Sequence, residues 1–159
     1  MDSFDQATRS RVMGRIKSRG TKTTEWRFRS LLMRSGIRGW KTGHNSGLPG
    51  RPDIVFSATR LAVFVDGCFW HGCRFCRSIP TSNRKFWKTK IERNVQRDRH
   101  VAGELADIGW GVIRIWEHEL KTDCEAVRRR VSDYLCKFDP APTDAGSRLA
   151  PKRPLVRTH

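Results

Sequence analysis

Two acids and a cluster of sulfur and imidazole groups share one short stretch of the chain. Gly50-Arg-Pro-Asp53-Ile-Val-Phe is followed, after a turn, by Leu61-Ala-Val-Phe-Val-Asp66-Gly-Cys68-Phe-Trp-His71-Gly-Cys73-Arg-Phe-Cys76. Asp53 and Asp66 each interrupt an apolar, strand-like run. A carboxylate there is costly unless it is liganded or hydrogen-bonded. Paired as a hairpin, the two strands would bring the acids together as a seat for a divalent ion. Such an ion stabilises charge developing on a phosphate and acidifies water. His71 follows Asp66 closely, and an imidazole is suited to acid–base work.

The cysteines suggest a second kind of chemistry. Cys68-x4-Cys73-x2-Cys76 supplies three thiols where zinc normally takes four S or N ligands. His71, inside the loop, and His118, beyond the next expected strand, are both candidates for the fourth. If the third and fourth strands are neighbours in a mixed sheet, their C-terminal ends meet. His118 then reaches the cysteines, and His71 is left free. The alternatives are a disulfide or unrelated thiols. Spacing and a reducing compartment favour the metal. Cys124 and Cys136 read as packing or surface residues.

The elements that must position these groups can be read from periodicity and punctuation. A basic helix is expected over 5–18, with Met13 either a core contact or an apolar group facing DNA. Residues 20–24 form a linker and helix start. A helix over 25–35 then places Phe28, Leu31 and Leu32 on one face, with Gly36 as its stop. Glu25 lies in its first turn, where the helix dipole favours a carboxylate; the functional alternative is an acid near a metal. Strands are expected over 37–42, 52–56 and 60–66. The loop 67–83 is too rich in cysteine and proline to be regular. A helix over 85–108 buries Trp87, Ile91, Val95, Ala102 and Leu105, and a strand follows over 110–116. Thr122-Asp-Cys-Glu125 has capping-box spacing and opens a last helix running to Phe138. The tail 139–159 alternates proline with small and basic residues and reads as disordered. The class is α/β: one domain over 1–138, with a central mixed sheet flanked by helices in the order α-β-β-β-α-β.

Charge narrows the partner. The chain of 159 residues carries 32 Lys and Arg against 16 Asp and Glu, a net +16. A polyanion offsets such self-repulsion, and aromatics interleaved with the basic residues favour nucleic acid. No apolar run approaches the roughly 20 residues of a membrane span. Nor is there a basic start followed by an apolar run, as a signal peptide would need. A cytoplasmic protein without a membrane partner is expected.

Several strings taken together are more specific. Leu48-Pro-Gly-Arg-Pro-Asp53, Val65-Asp-Gly-Cys-Phe-Trp-His71, Phe86-Trp87 and Asn94-Val-Gln-Arg-Asp-Arg99 occur in order, with Ala7-Thr-Arg-Ser near the start. Across residues 5–137 the chain resembles the very short patch repair (Vsr) DNA mismatch endonucleases. Its element order, with Pro-Asp opening the second strand, resembles the PD-(D/E)XK nuclease fold. The usual Glu-x-Lys of that fold is replaced here by Val65-Asp66-Gly67.

The resemblance implies a bacterial enzyme that nicks duplex DNA 5′ of the thymine in T:G mismatches left by deaminated 5-methylcytosine. It implies catalytic Mg²⁺ and structural zinc. Asp53 would bind Mg²⁺, His71 would activate water, and Glu25 would lie near the metal. Cys68, Cys73, Cys76 and His118 would hold zinc. Val65 stands where other members have threonine, leaving its backbone carbonyl as the Mg²⁺ contact. Asp66 stands where others have histidine, as a second acid or a group that positions water. Phe69 and Trp70 are either core or a wedge entering the base stack, with Met13 entering from the other groove. Arg9, Arg11, Lys88 and Arg97 complete the expected DNA contacts. A monomer is expected, with a mismatch-repair protein as a partner to consider. Two other readings stay open: a nuclease of this fold with a different target, and a non-catalytic zinc-stabilised DNA-binding module.

Overall fold

A computed structural model describes residues 22–76 and 79–138. The expected helix over 5–18, with Met13, Arg9 and Arg11, and the tail 139–159 lie outside the described residues. Helix α1 spans Lys22–Arg34, beginning inside the expected linker because nothing from Lys22 to Glu25 breaks a helix. Strand β1 is only Trp40–Thr42. It starts later than the expected 37 because Gly36 and Gly39 both have positive φ, which no extended strand accommodates. Strand β2 is Ile54–Phe56, so Asp53 stands at its threshold rather than within it. Strand β3 is Leu61–Asp66, helix α2 is Arg84–Asp107 and strand β4 is Gly111–Trp116.

The C-terminal end corrects the expected cap. A one-turn helix α3, Glu119–Thr122, precedes helix α4, Cys124–Phe138. Thr122 closes α3 by donating its hydroxyl to the His118 carbonyl. Asp123 caps α4 instead, accepting from the Ala126 amide at 3.0 Å. Glu125 turns away to pair with Arg128.

The strands form one mixed sheet in the order β1-β2-β3-β4. β1 and β2 are antiparallel, as are β2 and β3. β3 and β4 are parallel, with Val63 opposite Ile113 and Asp66 opposite Trp116. β3 is buried on both faces, as its near-continuous apolar run requires. Its alternation divides the core. Leu61, Val63 and Val65 meet Phe28, Leu31 and Leu32 of α1 and Val127 and Val131 of α4 on one side. Ala62 and Phe64 meet Val101 and Leu105 of α2 on the other. Val101, rather than the expected Ala102, is the buried residue in that turn. Each large side chain buried this way contributes about 1.5–3 kcal/mol.

Candidate functional site

The same period-two rule selects what faces the catalytic side. Asp66 shares a face of β3 with Ala62 and Phe64. On β4, Arg114, opposite Phe64, points to the same side, while Ile113 and Ile115 point into the other core layer. Between this face and α2 lies an open cleft of about 410 Å³. Asp53, Asp66, His71, Asp98, Arg114 and His44 contribute to its walls.

Asp53 is fixed from two directions. Its amide donates to the Val63 carbonyl at 3.0 Å, and its Oδ2 accepts from the Val65 amide at 2.7 Å. The loop carrying it is braced on α2 at Gly50, where a Cβ would come within 2.4 Å of Val101. Burial pushes the Asp53 carboxyl up to about 6, with Glu25 and Asp66 adding to it and the Val65 N–H and His44 opposing it. Ligand atoms of Glu25, His44 and Asp53 all lie within 4.8 Å of one another. Glu25 also accepts from Arg29, one helical turn on, at 3.3 Å. This donor set, two carboxylates and an imidazole, fits a divalent cation.

Asp66 is buried and ion-paired rather than free. Arg114 donates Nε to its Oδ2 at 2.5 Å and an NH2 to its Oδ1 at 2.8 Å. The two acids are therefore neighbours, but only Asp53 belongs to the cation-sized cluster. Arg114 also reaches Asp98 at 3.2 Å.

His71 arrives on the turn that follows β3. The Trp70 and His71 amides both donate to the Gly67 carbonyl, and Gly72, at φ +69°, reverses the chain. From α2, Asn94 donates to the Trp70 carbonyl at 2.9 Å. One turn later, Asp98 Oδ2 lies 2.6 Å from His71 Nδ1, while Asp66 Oδ1 is 3.7 Å from it. Burial alone would raise Asp98. The His71 hydrogen bond and the charges of His71, Arg114 and Arg97 outweigh it and hold the carboxyl below its ordinary value. An ionised Asp98 accepts a hydrogen bond from the Nδ1–H, which leaves Nε2 as the basic nitrogen.

The cysteines and His118 converge at the C-terminal ends of β3 and β4. The Glu117 amide donates to the Asp66 carbonyl, extending the parallel pairing one step past the strand. His118 comes next, with its Nδ1 at 3.2 Å from Cys68 Sγ and 3.5 Å from Cys73 Sγ. Ligand atoms of Cys68, Cys73, Cys76 and His118 all lie within 4.8 Å of one another. Tetrahedral zinc, with bonds of about 2.0–2.3 Å, spaces its ligands about 3.5 Å apart, so the set fits that ion. Burial pushes the Cys68 thiol up to about 12. Cys124 and Cys136 are exposed.

Phe69 and Trp70 are half-buried against Trp87, with ring centroids 5.4 and 6.0 Å away. Phe86 joins the cluster at its exposed edge, and Lys90 lies over the Trp70 ring at 5.3 Å. Lys88 and Arg97 project from α2 with side chains about two-thirds exposed.

Asp98, Arg114 and His44 escaped the sequence reading. Arg114 interrupts the apolar run of β4, just as Asp66 interrupts that of β3, and this symmetry was the available signal. Asp98 follows Asn94 by one helical turn on the side facing the loop. His44 had no sequence signal beyond its place in a turn-rich loop.

The family model described as DNA mismatch endonuclease Vsr matches residues 1–77. A Type II nicking enzyme, V.NaeI of Lentzea aerocolonigenes, is 45% identical over 123 residues, 76% of this chain and 74% of its own. The DNA mismatch endonuclease Vsr of Escherichia coli (strain K12) is 38% identical over 141 residues, 85% of this chain and 88% of its own. The Type II nicking enzyme V.NmeDIP of Neisseria meningitidis serogroup C is 40% identical over 147 residues, 87% and 97%.

Proposed function

Because the chain belongs to the Vsr family of DNA mismatch endonucleases, we propose that this DNA endonuclease nicks one strand of duplex DNA 5′ of the thymine in a T:G mismatch. The observation that carries this reading is the dyad of His71 on Asp98 at 2.6 Å, facing a cleft shared with Asp53. Asp98 keeps the Nδ1 proton and the ring orientation. Nε2 takes a proton from the attacking water. Arg114 holds Asp66 and Asp98 together, so the dyad cannot swing away from β3. Asp53, with Glu25 beside it and the Val65 carbonyl as a further ligand, would hold Mg²⁺. That ion, when bound, supplies charge stabilisation at the phosphate and a more acidic water. Asp66 orients the dyad through Arg114 and His71 rather than ligating the ion, since both its oxygens are engaged by Arg114.

Zinc in the Cys68, Cys73, Cys76 and His118 cluster would brace the loop that presents His71. Phe69 and Trp70, backed by Trp87, form the wedge that opens the mismatched step, which costs less to unstack than a paired one. Lys88 and Arg97, together with Arg9, Arg11 and Met13 of the N-terminal segment, complete the DNA grip. The domain is 1–138 and acts as a monomer in the bacterial cytoplasm. Among the described residues no helix is long and apolar enough to cross a membrane.

The test is a nicking assay with Mg²⁺ on T:G and fully paired duplexes of one sequence. Cleavage of the T:G duplex alone, at the phosphate 5′ of the thymine, is expected. Equal cutting of both duplexes would instead indicate a nuclease with another target. Binding without cutting would indicate a non-catalytic module.

A further inference from the structure

His44 has no task in the reaction as described, yet the fold takes trouble to place it. It sits in the one-turn 3-10 helix Gly43–Asn45, between β1 and the Asp53 loop. The Gly43 amide donates to the Asp53 carbonyl at 3.1 Å. The Gly43 carbonyl accepts from the Ser46 amide at 3.1 Å and from its hydroxyl at 2.6 Å. Gly43 lies so close to the neighbouring loop that a Cβ would come within 2.3 Å of the Pro52 carbonyl oxygen. The turn is therefore clamped to the backbone of Pro52 and Asp53, and His44 moves with the Asp53 carboxylate as one unit. An imidazole nitrogen of His44 and oxygens of Asp53 and Glu25 then fall within 4.8 Å of one another, a separation one ion can bridge. His71 is not in that cluster; its Nδ1 is occupied by Asp98.

We infer that His44 is a direct nitrogen ligand of the catalytic divalent cation, which makes the site a mixed imidazole–carboxylate centre. The inference rests on the proposed cation at Asp53. It carries a consequence for ion choice. Mg²⁺ favours all-oxygen shells and gives up water reluctantly. Manganese tolerates oxygen donors and binds more tightly than magnesium-like ions once a nitrogen is present, and later transition ions gain more. The cleft discriminates among divalent cations through His44.

Mn²⁺ alone, added to the full-length protein, is the probe. It is a hard ion and leaves the thiolate-rich Cys68, Cys73, Cys76 and His118 cluster to softer metals. Electron spin-echo spectroscopy of the wild-type protein is expected to show nitrogen modulation from a directly bound imidazole. The modulation should persist in His71→Ala and disappear in His44→Gln. His44→Gln keeps the turn and offers an amide oxygen, so it guards against a mere loss of fold. His44→Ala should weaken Mn²⁺ binding about tenfold or more, an effect seen even for groups that only support a ligand. Asp53→Asn should abolish it. If nitrogen modulation survives in both His44 variants, or His44→Ala binds Mn²⁺ as tightly as wild type while Asp53→Asn does not bind, the role given to His44 is wrong and the cation at Asp53 stands. If Asp53→Asn binds Mn²⁺ unchanged, the cation site itself is misplaced.

Discussion

Replacing Asp53 with asparagine should stabilise the protein as it disarms it. The folded carboxyl titrates at about 6, against an ordinary value of 3.8, chiefly because it is buried. Between those two values the folded state binds more protons than the unfolded state, so stability falls as pH rises through that window. Below pH 3.8 the penalty is absent, and above about 6 it is complete. At about 1.4 kcal/mol per pH unit, the full penalty is about 3 kcal/mol, an upper bound because the group keeps some contact with solvent. Asparagine carries no charge and retains an oxygen to accept the Val65 N–H now bonded at 2.7 Å. Urea unfolding of wild type and Asp53→Asn, at fixed ionic strength without added divalent ion, should give matching stability near pH 4. The gap should widen to as much as about 3 kcal/mol at pH 8, with asparagine the more stable, which is roughly 9 °C in melting temperature for a chain of this size. Other groups titrate in both proteins and cancel in the difference. Mg²⁺ or Mn²⁺ should narrow the gap by stabilising wild type alone. A gap that does not grow between pH 4 and 7, or an asparagine variant that is weaker at pH 8, would refute the account of Asp53 as a strained, desolvated ligand.

Asp98→Asn should leave fold and DNA affinity intact while lowering nicking by roughly a hundredfold or more, since an amide no longer enforces the Nδ1-protonated tautomer; single-turnover rates beside binding titrations would show a fall in both together if the role is only structural. Arg114→Met should cost about 3 kcal/mol of stability by leaving Asp66 buried and unpaired, and the double change Arg114→Met with Asp66→Leu should recover most of it; denaturant melts of the three proteins decide, and a single variant as stable as wild type would count against the pairing. Cys73→Ala should lower bound zinc and cooperative unfolding together, because structural zinc binding is coupled to folding; metal analysis with a thermal melt checks this, and unchanged zinc content would remove Cys73 from the ligand set.

Sequence reasoning succeeded where the signal was local and periodic. The apolar run of β3 and the face of α1 defined their own burial, and the expectation that the third and fourth strands are neighbours in a mixed sheet is met by the parallel pairing of β3 with β4. From that single topological step, His118 could be brought to Cys68 and Cys73 across about fifty intervening positions. What escaped was pairing across the cleft. Asp66 reads as a second acid or a group that positions water because nothing near it in the chain reveals that Arg114, forty-eight residues away, engages both its oxygens. The same holds for Asp98, whose meaning depends on how α2 is rotated against the loop. The strand expected over 37–42 is longer than β1 because the sequence does not reveal that Gly36 and Gly39 adopt positive φ. Motif spacing points to Thr122 as the cap of the last helix, but Thr122 closes α3 and the cap falls one residue later, on Asp123.

The parallel pairing of β3 with β4 also joins two parts of the site. Arg114, which secures Asp66 and Asp98, and His118, which completes the cysteine cluster, lie four residues apart at the end of one strand. A chain folded only through α2 would own Asp66, His71 and Asp98, yet Asp66 and Asp98 would repel without their shared guanidinium, and the cysteine cluster would lack His118. A one-residue slip of β4 would drive Arg114 into the layer of Val63 and Val131 and expose isoleucine to the cleft, so misregistered chains are rejected by electrostatics as well as packing. Closing this long-range pair costs about 3 kcal/mol of loop entropy before any contact repays it. One strand therefore completes both the acid pair and the cysteine cluster when it docks.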